Sequence, residues 1–447
     1  MTGMTIAAAA KACGGKYWGT NAESTELGRV IIDSRAVEPG DLFVAYKGEK
    51  VDGHDYIGAA LDKGAACCLC ERVPEGETRG VIVVDDVQRA LEAIAAAYRE
   101  TLSLPIIGIT GSVGKTSAKE MISAVLSSRY NVLKTDKNLN HQIGVPMTLS
   151  RITPAHDAAV VEMGISGFGE MHRLGKMVRP QIAVYTLIGH AHLEFLHDLD
   201  GVLRAKTEML DELSDDACVI MNGDDEKLKG YRCRQRKISF GFGADCDVRA
   251  ENVELKEEHT ECDVVCGERR FHVTIPAFGK HLVYAALEGA AVGIEMGLCD
   301  EEITRGIASF ETVGRRAAIV HTGKLTLLDD CYNSNAEALR SGIDSLVRLP
   351  GRHICILGDM LELGQSAEKI HREGGAYARK AGVERLLCCG TYADAYCEGA
   401  GEIARRFSSR GELIAALKEE IQEGDCVLVK ASRGARFEEI SEALKVL

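Results

Sequence analysis

The sequence predicts an α/β protein of three domains: a small mixed α/β domain, a central doubly wound domain with a phosphate loop, and a C-terminal Rossmann-like domain. Three observations predict it. The chain has 447 residues, about three domains at roughly 150 residues each. Two long stretches alternate apolar strand-like runs with amphipathic helices, the pattern of parallel sheets covered on both faces. The segment ahead of them has a different texture, with shorter strand-like runs.

Residues 1–103 contain RVIIDSR, GDLFVAYKG and GVIVVDD as strand-like runs and the alanine-rich helical stretch QRALEAIAAAYRE. The first residues, MTGMTIAAAAKACGG, lack a basic start followed by a long apolar core and read as a short helix. Leu102-Ser103-Leu104-Pro105 reads as a linker, because proline biases the preceding residue towards extended backbone. The second domain is expected over 104–313, with PIIGIT, AAVVEMG, IAVYTLI and ACVIMN as buried parallel strands. The third is expected over 314–447, with LTLLDD, HICILGD, RLLCCG and CVLVKAS separated by helices.

Composition narrows the function. Hydrophobic residues make up 46% and charged residues 27%, the balance of an ordinary globular protein. A net charge of −14 argues against wrapping nucleic acid, which needs clustered Lys and Arg. No run reaches the ~18 apolar residues of a membrane helix, so no membrane insertion and a cytoplasmic location are expected. Of the sixteen cysteines, Cys67 and Cys70 form a CxxC inside the apolar run GAACCLCERV. No second CxxC completes a zinc site, so the cysteines read as reduced, structural thiols.

The strongest local signal is the run Thr110-Gly111-Ser112-Val113-Gly114-Lys115-Thr116-Ser117 after the apolar strand and before the helical AKEMISAVLSS. Glycines let backbone N–H groups approach phosphate oxygens, and the helix N-terminus adds partial positive charge. Lys115 suits the outer phosphates and the Thr116 hydroxyl suits magnesium. The strict P-loop pattern wants glycine where Ile109 stands, so the shorter G-x-x-G-K-T form is what remains. Glu162 ends the next apolar strand and is placed to supply a hard-oxygen magnesium ligand.

Beyond these residues the chain resembles the Mur ligase family along essentially its whole length. The resemblance rests on TGSVGKTS (110–117), NLNHQIGVP (138–146), EMG (162–164), GHAHLEF (189–195), the lysine of LRAKTEML (203–210) and NGDD (222–225). It continues through GRR (314–316), DDCYNSN (329–335), LGDMLELG (357–364) and LVKASR (428–433). At the front, DSRAVEPGDLFVAYKGEKVDGHD (33–55) resembles the family's uridine-nucleotide-binding module.

The resemblance implies an ATP-dependent ligase that activates a carboxylate as an acyl phosphate and couples it to an amine. DDCYNSN and LGDMLELG resemble the branch that adds D-alanyl-D-alanine to a UDP-N-acetylmuramoyl-tripeptide, and no DNPR-type motif of the preceding amino-acid-adding step occurs. By this resemblance Thr116, Glu162, His192 and Lys206 would serve two magnesium ions, with Lys206 carbamylated. His281, Arg315 and Asp330 would join the phosphate loop in binding ATP. Ser34, Arg35, Asp52, Gly53, His54, Asn138, Asn140, Asn333 and Lys430 would bind substrates. A monomer is expected.

The chain departs from the family at four positions. Leu282 and Ala285 replace asparagines of a G-x-H-N-x-x-N stretch, Ala431 replaces the glycine of KGSR, and Ala336 replaces a proline. A diverged paralogue with another amine acceptor, or the ligase of the preceding step, therefore stays open. A folate-type ligase lacks the DSR…DGHD front. A nucleotide switch would need neither His192 nor Lys206. A zinc reading of His190, His192 and His197 lacks a completing Cys or acidic pattern.

Overall fold

A computed structural model describes all residues except 49, 78, 257, 313, 316 and 317. Glu49 in the front motif, Arg316 in the GRR motif and the expected domain end at 313 therefore lie outside the described residues. The three-part α/β architecture is the one observed, with one sheet in each part.

The front sheet has five strands, in the order Lys16–Gly19, Gly80–Val83, Cys67–Cys70, Leu42–Val44 and Val30–Ile31. All four residues of Cys67–Cys70 are buried, and the Cys67 and Cys70 thiols donate to the Cys68 and Ile82 carbonyls. The helix Val87–Glu100 covers this sheet because Val87, Ala90, Leu91, Ile94 and Tyr98 recur at helical spacing on its buried face. Asp86 caps its start by accepting from Arg89 N–H. Its far end ties front to centre: Tyr98 Oη donates to Ile152 O at 2.5 Å, and the Arg99 guanidinium donates to the carbonyls of Val178, Leu102 and Arg179. Residues 102–105 then pass without regular structure to the first central strand.

Nine strands form the central sheet. Its parallel part runs Arg236–Gly241, Cys218–Asn222, Ile182–Tyr185, Ile106–Thr110, Ala158–Glu162 and Val132–Lys134, which are the apolar runs the sequence marks out plus Arg236–Gly241 and one short edge strand. Ile109 pairs with Glu162 and Thr110 with Tyr185, so the register itself sets Glu162 and Thr186 beside the phosphate loop. An antiparallel ribbon, Val248–Leu255, Thr260–Cys266 and Arg269–Ile275, extends the other edge and is not foreseen by the sequence reading. The helices Lys115–Ser127 and Lys280–Glu295 pack on one face, where Gly289 admits Met121 and Val125.

In the C-terminal sheet the parallel strands follow the order Thr326–Asp329, Cys426–Lys430, His353–Leu357, Arg385–Cys389 and Ala404–Phe407. Leu357 pairs with Lys430, which brings residues 330, 358 and 430 to one carboxyl edge, where open α/β sheets place ligands. No helix among the described residues is long and apolar enough to cross a membrane.

Candidate active site

The phosphate loop is held from below by the neighbouring strand end. Gly111 (φ +151°) approaches Thr186 so closely that a Cβ would meet its hydroxyl at 1.9 Å, and Gly114 (φ +87°) starts the helix Lys115–Ser127. Both positions demand glycine. Ser112 N–H donates to Leu187 O at 2.7 Å, its hydroxyl contacts both Gly189 N and Gly189 O at 3.0 Å, and Thr186 Oγ1 bonds Val113 O. Lys115 Nζ lies back on Gly111 O at 2.6 Å, over the loop whose phosphates it would meet. The NGDD motif supports this from the next strand: Asn222 donates to Thr186 O, and Asp225 accepts from Ile188 N–H. Ser117, in the first helical turn, is half-buried.

Magnesium-type donors converge here. Glu162 is 1% exposed. Its Oε2 accepts from Thr116 Oγ1 at 3.1 Å and its Oε1 from Asn140 Nδ2 at 2.7 Å. Thr135 fixes the Glu162 backbone through a 3.0 Å bond. Thr110 Oγ1, at the end of the neighbouring strand Ile106–Thr110, is buried without a hydrogen-bond partner among the described residues. Asn138 is exposed on the loop that ends at Asn140.

Lys206, on the helix Leu199–Thr207, is 1% exposed and has no carboxylate partner among the described residues. Burial, aided by the Lys115 charge, pushes its amine well below the ordinary lysine range. A neutral amine is what carbamate formation requires.

His192 sits in left-handed backbone (φ 56°) at the start of the short helix Leu193–Leu196. Its Nδ1 lies 2.5 Å from Glu362 Oε2 of the C-terminal part, close but outside hydrogen-bond alignment, and lowers the Glu362 carboxyl pKa. Glu362 is itself left-handed (φ 61°), and its carbonyl accepts from Glu194 N–H. Two residues earlier, His190 meets Glu337 in a second cross-domain contact. Sequence reasoning missed both glutamates. Glu362 lay inside a quoted motif and Glu337 directly after Ala336, but neither position carries a local signal of its partner.

On the C-terminal edge Lys430 is 2% exposed, and its Nζ donates to Asp330 Oδ2 at 2.5 Å and Asn333 O at 3.1 Å. His281 faces this pair from the central helix Lys280–Glu295. Burial lowers its pKa, Asp330 opposes that, Lys430 adds to it, and its Nδ1 is enclosed without a hydrogen-bond partner among the described residues. Arg315 does not join them: its guanidinium donates to Glu442 Oε1 and Glu438 O and lies 3.6 Å from Asp329.

The front residues form their own cluster. Arg35 is exposed and doubly bonded to Asp33, whose carboxyl it holds at about 2. Ser34 is half-buried in the same turn. His54 uses both ring nitrogens internally: Nδ1 lies 2.6 Å from Asp52 Oδ1, and Nε2 accepts from Glu71 N–H at 3.0 Å. Gly53 lies so close to the Tyr46 backbone that a Cβ would meet it at 2.7 Å. The turn is thus built rigidly beside a cleft of about 390 Å³ lined by His54, Asp55, Arg72 and Glu77.

The four departures are absorbed locally. Leu282 and Ala285 are buried in the apolar core of the central part. Ala431 is fully buried with no positive φ, so a Cβ is tolerated there. Ala336 stands at the first position of the helix Ala336–Leu346, after the Asn335 cap, where proline and alanine both fit.

Comparison with known proteins agrees with this geometry. Three family descriptions match in succession: "Mur ligase family, catalytic domain" over 26–99, "Mur ligase middle domain" over 109–293 and "Mur ligase, glutamate ligase domain" over 315–433. The chain is 35% identical to the UDP-N-acetylmuramoyl-tripeptide–D-alanyl-D-alanine ligase of Bacillus subtilis over 433 residues, covering 94% of each chain. The enzyme of the same name from Escherichia coli is also 35% identical, over 427 residues and 94% of each chain. Among solved structures, MurF from Acinetobacter baumannii superposes with a TM-score of 0.91 at 29% identity, over 99% of both chains. MurF ligase from Thermotoga maritima in complex with ADP gives 0.84 at 27% identity, over 94% of this chain and 97% of that one. This chain belongs to the Mur ligase family.

Proposed function

We propose that this chain uses ATP to activate the free carboxylate of UDP-N-acetylmuramoyl-tripeptide and joins it to D-alanyl-D-alanine, as a cytoplasmic monomer in peptidoglycan precursor synthesis. The observation that carries this reading is the end-to-end correspondence, 94% of each chain, with two ligases that bear that name. In this reading residues 1–103 hold the uridine nucleotide, with Arg35 suited to a diphosphate. Residues 104–313 hold ATP, and residues 314–447 bring the amine.

The residues fit the groups the chemistry needs. Thr116 and Glu162 offer hard oxygens for one magnesium ion. His192 and Lys206 suit a second, once the neutral Lys206 amine takes up carbon dioxide, releases a proton and becomes a carbamate. Magnesium held by these residues would draw charge from the phosphoryl oxygens. The chain's own part is positioning. Loop N–H groups and Lys115 orient the γ-phosphate for in-line attack by the substrate carboxylate oxygen. His281 of the central domain and the Asp330–Lys430 pair of the C-terminal domain face one another. The amine then attacks the acyl carbon, a tetrahedral intermediate forms, and phosphate leaves.

The test is ATP hydrolysis in the presence of the nucleotide tripeptide, scanning D-alanyl-D-alanine against other amines. Phosphate release that rises with the dipeptide, together with a product heavier by the dipeptide less water, is expected. Equal or better turnover with a different amine would reassign the acceptor, and release indifferent to any amine would remove the ligase reading.

A further inference from the structure

We infer that Glu337 is a positioning residue that seats the C-terminal domain on the phosphate loop through Gly189. Its two carboxylate oxygens are both engaged across the domain boundary: Oε1 lies 2.5 Å from His190 Nδ1, and Oε2 accepts from the His190 backbone N–H at 2.9 Å. The approach requires a missing side chain. A Cβ on Gly189 would stand 2.6 Å from the Glu337 carboxyl carbon and from Oε2. On its other side, Gly189 exchanges contacts with a single phosphate-loop residue, its N–H and its carbonyl each lying 3.0 Å from Ser112 Oγ. Glu337 thus touches the phosphate loop through one intervening residue.

The other end of the relay is equally short. Glu337 lies in the first turn of the helix Ala336–Leu346, capped by Asn335 accepting from Ala338 N–H. The stretch just before that cap contains Asn333, whose carbonyl holds Lys430. A change in how residues 330–335 sit therefore moves Glu337, and through Gly189 it moves Ser112. Such a relay aligns the loop that holds the outgoing phosphate with the domain proposed to bring the amine. The purpose of this relay rests on the ligase reading, but its geometry does not depend on which amine is used.

Two measurements test it. In the first, amide hydrogen exchange of the substrate-free protein is followed at residues 187–192, with the strand His353–Leu357 as the fold control. Glu337→Ala should speed exchange at 187–192 and leave the strand unchanged. In the second, steady-state kinetics should show kcat falling roughly tenfold to a hundredfold, the size of a small misplacement of reacting groups, with a smaller change in KM for ATP. Glu337→Gln, which keeps the reach and an acceptor for the His190 N–H, should recover most of both readouts. Glu337→Asp, one methylene shorter, should not. Gly189→Ala should resemble Glu337→Ala, and the double variant should be little worse than either single one, since both remove the same contact.

Wild-type exchange and kcat in Glu337→Ala would overturn the inference, as would additive losses in the double variant or equal behaviour of the Gln and Asp variants. If Glu337→Ala also loosens the control strand, the Gln and Asp variants decide the matter by the same criterion. Failure of the wild-type chain to make product would count against the ligase reading alone, because the exchange measurement needs no substrate.

Discussion

The carboxyl edges of the central and C-terminal sheets each serve a nearly fully buried lysine, and the two lysines are held in opposite ways. Lys430 has Asp330 at 2.5 Å and the Asn333 carbonyl beside it, so its charge is matched where it lies. Lys206 has no carboxylate among the described residues, and burial together with the Lys115 charge drives its amine towards neutrality. Lys430 is a matched cation on the C-terminal edge, whereas Lys206 is an unpaired amine of the kind the proposed carbamate needs. Burying an ionisable group without a partner is unfavourable, and a protein retains that arrangement where the neutral form is the useful one.

The sharpest way to break this comparison is to replace both lysines with methionine. Lys206→Met should be nearly inactive yet as stable as the parent chain or more so, because an unpaired buried amine gives way to an apolar side chain of similar volume. Lys206→Arg should be no better catalytically, since a guanidinium cannot form a carbamate. Acetate or formate at high concentration should partly restore Lys206→Ala by supplying carboxylate oxygens. An arginine variant with parental rates would remove the carbamate from the mechanism.

Lys430→Met should do the reverse in stability, losing on the order of 3 kcal/mol, the low end of the range for removing one partner of a buried ion pair. Urea unfolding with an unchanged midpoint would show that the Asp330 contact is not what holds this edge.

A smaller effect is expected in the front domain, where the cation is exposed. Arg35→Ala should raise KM for the nucleotide peptide far more than KM for ATP, and equal effects on both would contradict the assignment of this domain. It also releases Asp33, whose folded carboxyl sits at about 2 against an ordinary 3.8. A depressed carboxylate adds stability that is present above about pH 3.8 and is lost as pH falls towards 2. Being surface-exposed, the pair should contribute little, so acid unfolding of the variant should shift only slightly upward in pH.

Much of this was legible in the sequence because the signals are local. The phosphate loop is a contiguous run whose glycines, lysine and threonine each have a chemical reason for their place. The parallel strands announce themselves as apolar runs because both faces of a doubly wound sheet are covered. Glu162 could be placed because it ends one such run. The antiparallel ribbon of 248–275 was not legible: its strand Val248–Leu255 alternates buried and partly exposed residues, a weaker pattern than a continuous apolar run.

Contacts between distant segments were harder still. Glu337 and Glu362 find His190 and His192 only when two domains meet, and no spacing along the chain encodes that meeting. His54 adds what spacing could not give: both its ring nitrogens are engaged within the front domain, which fixes the turn expected to contact substrate as one wall of the cleft. The alanines at 336 and 431 looked like losses, yet local backbone geometry accepts both.

The most direct test of the account follows an oxygen atom. With the tripeptide carboxylate labelled with oxygen-18, and ATP, magnesium and D-alanyl-D-alanine supplied, attack of that carboxylate on the γ-phosphate transfers one labelled oxygen to phosphorus. Expulsion by the amine then releases it as inorganic phosphate. The account predicts one labelled oxygen per phosphate released and one retained in the new amide. Unlabelled phosphate formed at the same rate as product would contradict it, because the carboxylate would then never have been phosphorylated.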